Sequence, residues 1–234
     1  MQPNVEIIDL PTSVSLEAIL LKPPATTHSQ ETRLAVCLHP WSWLGGRMED
    51  PVLDSLVDPL LSKDYHVLRY NSRGVGRSTG RASFTGFDEG KDLEAIIHWT
   101  LDHLANVSSI VIIGYSHGSL IASLQPPLPA PVQTSHVLLS YPLGPRSWLT
   151  LFRSSTYAQK LKDLVKSPTS LVLVGFGDQD EFTSISSYRT WAAEPETHSG
   201  TSDRLKIVQV GNPAHFWRGR AHGQLEHVLL EWLQ

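Results

Sequence analysis

Cysteine is almost missing from this 234-residue chain. Cys37 stands alone, so no intrachain disulfide can form, and its place in the apolar run "RLAVCLH" reads as core. No basic run is present, and the formal net charge is −4. That balance argues against nucleic acid as a partner. No stretch approaches the ~20 apolar residues of a membrane span. The opening "MQPNVEIIDL" lacks a basic patch ahead of a long apolar segment, so no secretory signal is expected and the cytoplasm is the expected location. Repeats and linkers are missing too, and residues 1–234 are read as one domain. The histidines are scattered, with neither H-E-x-x-H nor paired cysteines, so no metal is expected. No dinucleotide fingerprint occurs, and the glycine-rich "NSRGVGRSTG" lacks the G-K-[ST] ending of a phosphate loop. No cofactor is expected, and Arg73 and Arg77 in that segment read as structural or rim residues.

What is present is the material of a folded core. Hydrophobic residues make up 41% and charged residues 18%, in a chain long enough to bury a substantial interior. "VEIIDL" and "VSLEAILLKP" read as an opening hairpin. "RLAVCLH", "YHVLRY", "SIVIIG", "HVLLSY", "SLVLVG" and "LKIVQV" follow as mostly continuous apolar runs, the pattern of strands covered on both faces. Helices are expected between them: "DPVLDSLVDPLLSKD", kinked at Pro59, "FDEGKDLEAIIHWTLDHL" with an apolar stripe, and "GQLEHVLLEWL" near the end. Strands alternating with helices imply an α/β fold, a doubly wound, mainly parallel sheet of about eight strands. Such sheets bind ligands at the carboxyl ends of their strands.

One of those ends carries "IIGYSHGSL". Gly114 and Gly118 flank Ser116 as G-x-S-x-G. The glycines permit a sharp strand-to-helix turn, and the serine at its apex is expected to stand out toward solvent. A serine hydroxyl needs a base and a group to orient that base. After "SLVLVG" come Asp178, Asp180 and Glu181; after "LKIVQV" comes His215. The chain order is serine, acid, histidine, each at a strand's carboxyl end. His222 and His227 fall in the final helix and read as a solvated face. His117 adjoins Ser116, where its backbone N–H is the useful group, as one donor to an oxyanion. His39 could orient the loop that follows the third strand.

These residues resemble the α/β-hydrolase superfamily, and more narrowly its small, nearly lidless serine hydrolases. The segments carrying the resemblance are "HPWSWLGG", "YNSRGVGRSTG", "GYSHGS", "GDQDEF" and "AHFWRG", across roughly residues 33 to 233. By the family's G-x-x-D pattern the orienting acid is Asp180 rather than Asp178 or Glu181. The resemblance also implies a second oxyanion donor in the backbone N–H of Trp41, with Ser42 next in line; Gly45 and Gly46 allow that loop to fold tightly. One departure stands out: such hydrolases often place an aspartate before the histidine, and here that residue is Ala214.

Trp41, Trp43, Tyr115, Phe182, Phe216 and Trp217 fall in loops expected at the active edge. Trp43, Tyr115 and Phe182, with Trp148 and Phe152 from the segment 142–169, are the expected substrate pocket, although Phe216 and Trp217 read equally well as core. That segment has 28 residues, room for a helix and a short flap but not for a lid domain. The reading is a serine hydrolase in which Ser116 attacks a carboxylic ester or thioester of a small apolar or aromatic substrate, with Asp180 orienting His215. The alternatives are a C–C bond hydrolase, lyase or cyclase using the same groups, and a non-catalytic binding protein on the same scaffold. A small-molecule substrate is the only partner implied; the oligomeric state is left open.

Overall fold

A computed structural model describes residues 4–24, 31–194, 204–215, 217, 219 and 221–233. Eight strands form one sheet: β1 (Val5–Asp9), β2 (Ser15–Leu21), β3 (Thr32–Leu38), β4 (Tyr65–Tyr70), β5 (Val107–Tyr115), β6 (Gln133–Leu139), β7 (Ser170–Gln179) and β8 (Leu205–Ala214). Their spatial order is β1-β2-β4-β3-β5-β6-β7-β8. The first two make an antiparallel hairpin, β2 pairs antiparallel with β4, and every later pairing is parallel. β5 lies near the middle, and Ile110, Val111, Ile112 and Ile113 are almost completely buried. Side chains alternate across a strand, so successive residues of this run feed opposite faces. Ile110 and Ile112 join one core cluster; Val111 and Ile113 join the other.

Helices cover both faces. α1 (Pro51–Ser55) and α2 (Val57–Ser62) precede β4; α3 (Phe87–His103), α4 (His117–Ala122), α5 (Arg146–Leu149), α6 (Ser154–Lys166), α7 (Ile185–Ala192) and α8 (Ala221–Trp232) follow. The helix expected over 50–64 is two helices, broken at Leu56 rather than kinked at Pro59. Pro59 has no N–H to offer the Ser55 carbonyl four residues back, and its ring crowds that carbonyl. Asp50 caps α1, its Oδ1 accepting the Val52 N–H at 2.9 Å, with Pro51 at the first helical position. On α3, Leu93, Ile96 and Ile97 are fully buried, the stripe visible in the sequence.

The glycine-rich segment after β4 is held by ion pairs. Arg73 grips Asp92 of α3 through two 2.7 Å bonds, and Arg77 meets Glu17 of β2 at 2.7 Å. Cys37 is fully buried, and burial pushes its thiol up to about 12.

His39 and His136 are buried in this scaffold. His39 is 4% exposed and His136 is 0% exposed, and burial pushes each from its ordinary 6.5 down to about 4. The folded state therefore favours the neutral rings, while the unfolded chain binds protons below about 6.5. Their contribution to stability is complete above pH 6.5 and is lost as pH falls toward 4. Each pH unit across that window costs up to about 1.4 kcal/mol per histidine. The urea midpoint should fall steadily through this range; a midpoint level from neutrality to about pH 4.5 would contradict it.

Candidate active site

Ser116 sits between the end of β5 and the start of α4 with φ 54° and ψ −119°. A positive φ is strained for a non-glycine residue and costs about 1–3 kcal/mol. The surroundings hold it there. Ser116 N–H donates to the Leu139 carbonyl at 2.8 Å, and its own carbonyl accepts from Ser119 N–H at 2.9 Å. The flanking glycines are required by space: a Cβ on Gly114 would strike the Gly118 carbonyl and Ser119 Cα, and one on Gly118 would strike the Leu38 and His39 carbonyls. G-x-S-x-G is therefore the spacing that lets α4 press against the ends of β3 and β5. Ser116 is only 9% exposed. The expectation that it stands out into solvent is corrected, since Trp41, Phe182 and His215 wall in the cleft around it.

Three strand ends converge there. His215, just after β8, places Nε2 at 2.9 Å from Ser116 Oγ and Nδ1 at 2.9 Å from Asp180 Oδ2. Asp180, just after β7, has Oδ1 occupied by the N–H groups of Phe182 at 2.9 Å and Thr183 at 3.0 Å. A carboxylate only accepts, so the His215 proton resides on Nδ1 and the Nε2 lone pair faces the serine hydroxyl. Asp178 lies within β7 and Glu181 beside Asp180; neither takes the Nδ1 position. Both side chains of the His215–Asp180 pair are nearly buried, at 6% and 1% exposed.

The His215 peptide is clamped from two sides that the sequence did not disclose. Its N–H donates to Glu181 Oε2 at 3.0 Å, and its carbonyl accepts the Tyr115 hydroxyl at 2.8 Å. Ala214 cannot give local carboxylate support; the Glu181 carboxylate reaches the same turn from the neighbouring strand end. Farther along, the Trp217 indole N–H donates to Ser140 Oγ at 2.9 Å from a fully buried position, so Trp217 belongs to the core. Phe216 lies outside the described residues. His227 is exposed on α8 beside Glu231, and His222 lies on the same helix.

The loop after β3 is also tied down. His39 Nδ1–H donates to the Pro40 carbonyl at 2.7 Å, which leaves Nε2 to accept the Ser72 N–H at 3.0 Å. The Trp41 carbonyl accepts from Leu44 and Gly46 at 3.0 and 3.1 Å. Gly45 has φ 86°, and a Cβ on Gly46 would overlap the Pro40 carbonyl. This turn faces the start of α4, where the Trp41 and His117 rings lie 6.5 Å apart.

Around Ser116 is a cleft of about 140 Å³. Trp41, Tyr115, Trp148 and Phe182 line it, as do Leu44 and the half-buried Asp50, which the sequence reading missed. Burial pushes the Asp50 carboxyl up from its ordinary range. Its Asp-Pro dipeptide signals a helix start, but nothing in it signals a cleft. Trp43 does not line this cleft; it stacks on Trp41 at 5.9 Å and borders a neighbouring groove. Phe152 stands away from it, 80% exposed. Leu151 and Phe152 both have positive φ, which turns the chain after α5 outward. Among the described residues, no group of three or more His, Cys, Asp or Glu is placed to hold a metal ion, and no helix is long and apolar enough to cross a membrane.

Residues 35–230 match the alpha/beta hydrolase family, and the chain belongs to that family. Membership supports hydrolase activity. The fold is shared with solved structures over nearly the whole chain. An alpha-beta serine hydrolase homologue from Coxiella burnetii is 24% identical, covering 100% of this chain and 99% of its own, with a TM-score of 0.77. A Xanthomonas campestris serine hydrolase described as without lid is 22% identical, covering 99% and 95%, at a TM-score of 0.73. The Pyrococcus furiosus esterase Pf2001 is 18% identical, covering 99% and 90%, also at 0.73. An uncharacterized protein of Rickettsia prowazekii (strain Madrid E) is 35% identical over 98 residues, 42% of this chain and 41% of that relative's length.

Proposed function

We propose that this chain is a serine hydrolase that cleaves a carboxylic ester or thioester of a small apolar acyl group through an acyl-enzyme. The observation that carries the reading is the aligned pair of 2.9 Å bonds, Ser116 Oγ to His215 Nε2 and His215 Nδ1 to Asp180. Ser116 Oγ attacks the carbonyl carbon as His215 Nε2 takes its proton. The resulting oxyanion is met by the backbone N–H groups of His117 and Trp41. The tetrahedral adduct collapses, and His215 returns the proton to the departing alcohol or thiol. Water, activated by His215, then attacks the acyl-enzyme and frees Ser116. Asp180 orients the imidazole and stabilises its charged form. Residues 142–169, a short turn of helix and α6, act as a flap rather than a lid, and the hydrolase unit is the whole chain.

The test is labelling with a fluorophosphonate probe, followed by panels of p-nitrophenyl esters and acyl-CoA thioesters. A protein that neither labels nor turns over any of them would end the reading. The cleft sets the acyl preference. Its 140 Å³ is small beside the ~300–1,000 Å³ of drug-sized pockets, and aromatic rings line it. Each buried CH₂ contributes about 0.8 kcal/mol, or about fourfold in kcat/KM. From acetyl to butyryl, kcat/KM should rise about tenfold or more, then level off once the cleft is full. A flat profile across all chain lengths would mean that the rings do not contact the acyl group.

A further inference from the structure

Beside the cleft lies a second, larger concavity to which the mechanism above assigns nothing. It measures about 800 Å³ and shares Gly45 and Gly46 with the cleft as a common wall. Trp43 and Phe84 line it, 57% and 63% exposed, with ring centroids 5.5 Å apart. Large exposed aromatics gathered at one place mark a binding surface. A continuous series of rings joins the two spaces: Trp148 meets Trp41 edge-on at 5.0 Å, Trp41 stacks on Trp43 at 5.9 Å, and Trp43 meets Phe84.

The charge of the groove is as telling as its rings. Its lining carries Arg47 and Arg81 and no carboxylate, in a chain whose formal net charge is −4. Among the described residues Arg47 has one loose ion-pair partner, Glu49 at 3.5 Å, both more than half exposed. Among the described residues Arg81 forms no ion pair. By contrast Arg73 and Arg77, in the glycine-rich segment just before Arg81, are both consumed by carboxylates.

Resting on the hydrolase reading, we infer that the substrate is bipartite: a small acyl group fills the cleft, and an anionic, ring-bearing arm of the same molecule lies in this groove. The ring stacks on Trp43 or Phe84, and a sulfonate, phosphate or carboxylate on the arm meets Arg47 and Arg81. The sizes fit that division, since the cleft alone is too small for a whole drug-sized ligand. Guanidinium groups suit such anions because their donors are arranged as a planar fork.

The experiment compares two butyrate esters, of 2-naphthol and of 6-hydroxynaphthalene-2-sulfonate, followed by release of the naphthol. The sulfonated ester should be preferred by about tenfold in kcat/KM, chiefly through KM, a difference that two charge-assisted contacts supply. The preference should collapse toward unity in the double variant Arg47→Ala/Arg81→Ala, and should shrink as salt rises from about 20 to about 500 mM. Trp43→Leu should weaken both esters. No preference in the native protein, or a preference that survives the double variant, overturns the inference. Fluorophosphonate labelling of the same samples separates the two claims: a protein that labels but shows no charge preference keeps the hydrolase reading and loses this one. If it neither labels nor hydrolyses, calorimetric titration with 6-hydroxynaphthalene-2-sulfonate decides the groove alone. Binding that weakens about tenfold in the double variant supports the groove as an anion site, and no heat of binding removes it.

Discussion

Ser116→Ala should lose fluorophosphonate labelling completely and reduce ester turnover by about 10⁴ to 10⁶. The fold should be untouched. The hydroxyl's hydrogen bond is to His215 Nε2, across the cleft rather than into the core. Alanine inherits the φ of 54° at much the same cost as serine, because the strain comes from Cβ and not from the hydroxyl. Ser116→Gly makes the complementary case. It should be equally inactive, yet more stable than the alanine variant by up to about 1 kcal/mol, since glycine adopts that φ freely. The pair separates what the residue does chemically from what its backbone costs. Undiminished labelling of Ser116→Ala would remove the nucleophile from this account.

The second large effect is expected at Asp180. In Asp180→Asn the amide oxygen stays with the Phe182 and Thr183 N–H groups, which already hold Oδ1. The amide NH₂ then faces His215 Nδ1 and can only donate. Nδ1 must accept, so the ring proton moves to Nε2 and points at Ser116. The base becomes a donor, and turnover should drop about 10⁴-fold with little change in KM. Asp178→Asn should stay within a few-fold of the native protein. Reversal of the two outcomes would place the orienting acid at Asp178 after all.

Much of the fold was legible because its strands are buried on both faces. "SIVIIG" and "SLVLVG" need no alternation to be recognised, since both sides of those strands meet apolar cores. Ser116, Asp180 and His215 could be picked out for a related reason: parallel strands deliver their carboxyl ends to one edge, so loops distant in sequence become neighbours there. What was hidden depends on how a loop turns after its strand or helix ends. Trp43 and Phe152 carry the right chemistry in the right loops, but the positive φ values at 151 and 152, and the stacking of Trp43 behind Trp41, point them elsewhere. The clamp on the His215 peptide was invisible because Tyr115 lies 100 residues away and Glu181 lies 34 away. The break at Leu56 was nearly visible, since Pro59 implied a disturbance and only its position, three residues upstream, was missed.

The bond between Ser116 and His215 closes 99 residues of chain, and β8, which delivers His215, has a single neighbour, β7, among the described strands. Contacts so distant in sequence must bear the entropy of loop closure before they return anything. Helices such as α3 need only local contacts and can form much earlier. During refolding from denaturant, far-UV ellipticity should therefore recover ahead of chemical reactivity at Ser116. The interval between the two signals should report the late arrival of His215 at Ser116, a delay set by the closure of the chain between them.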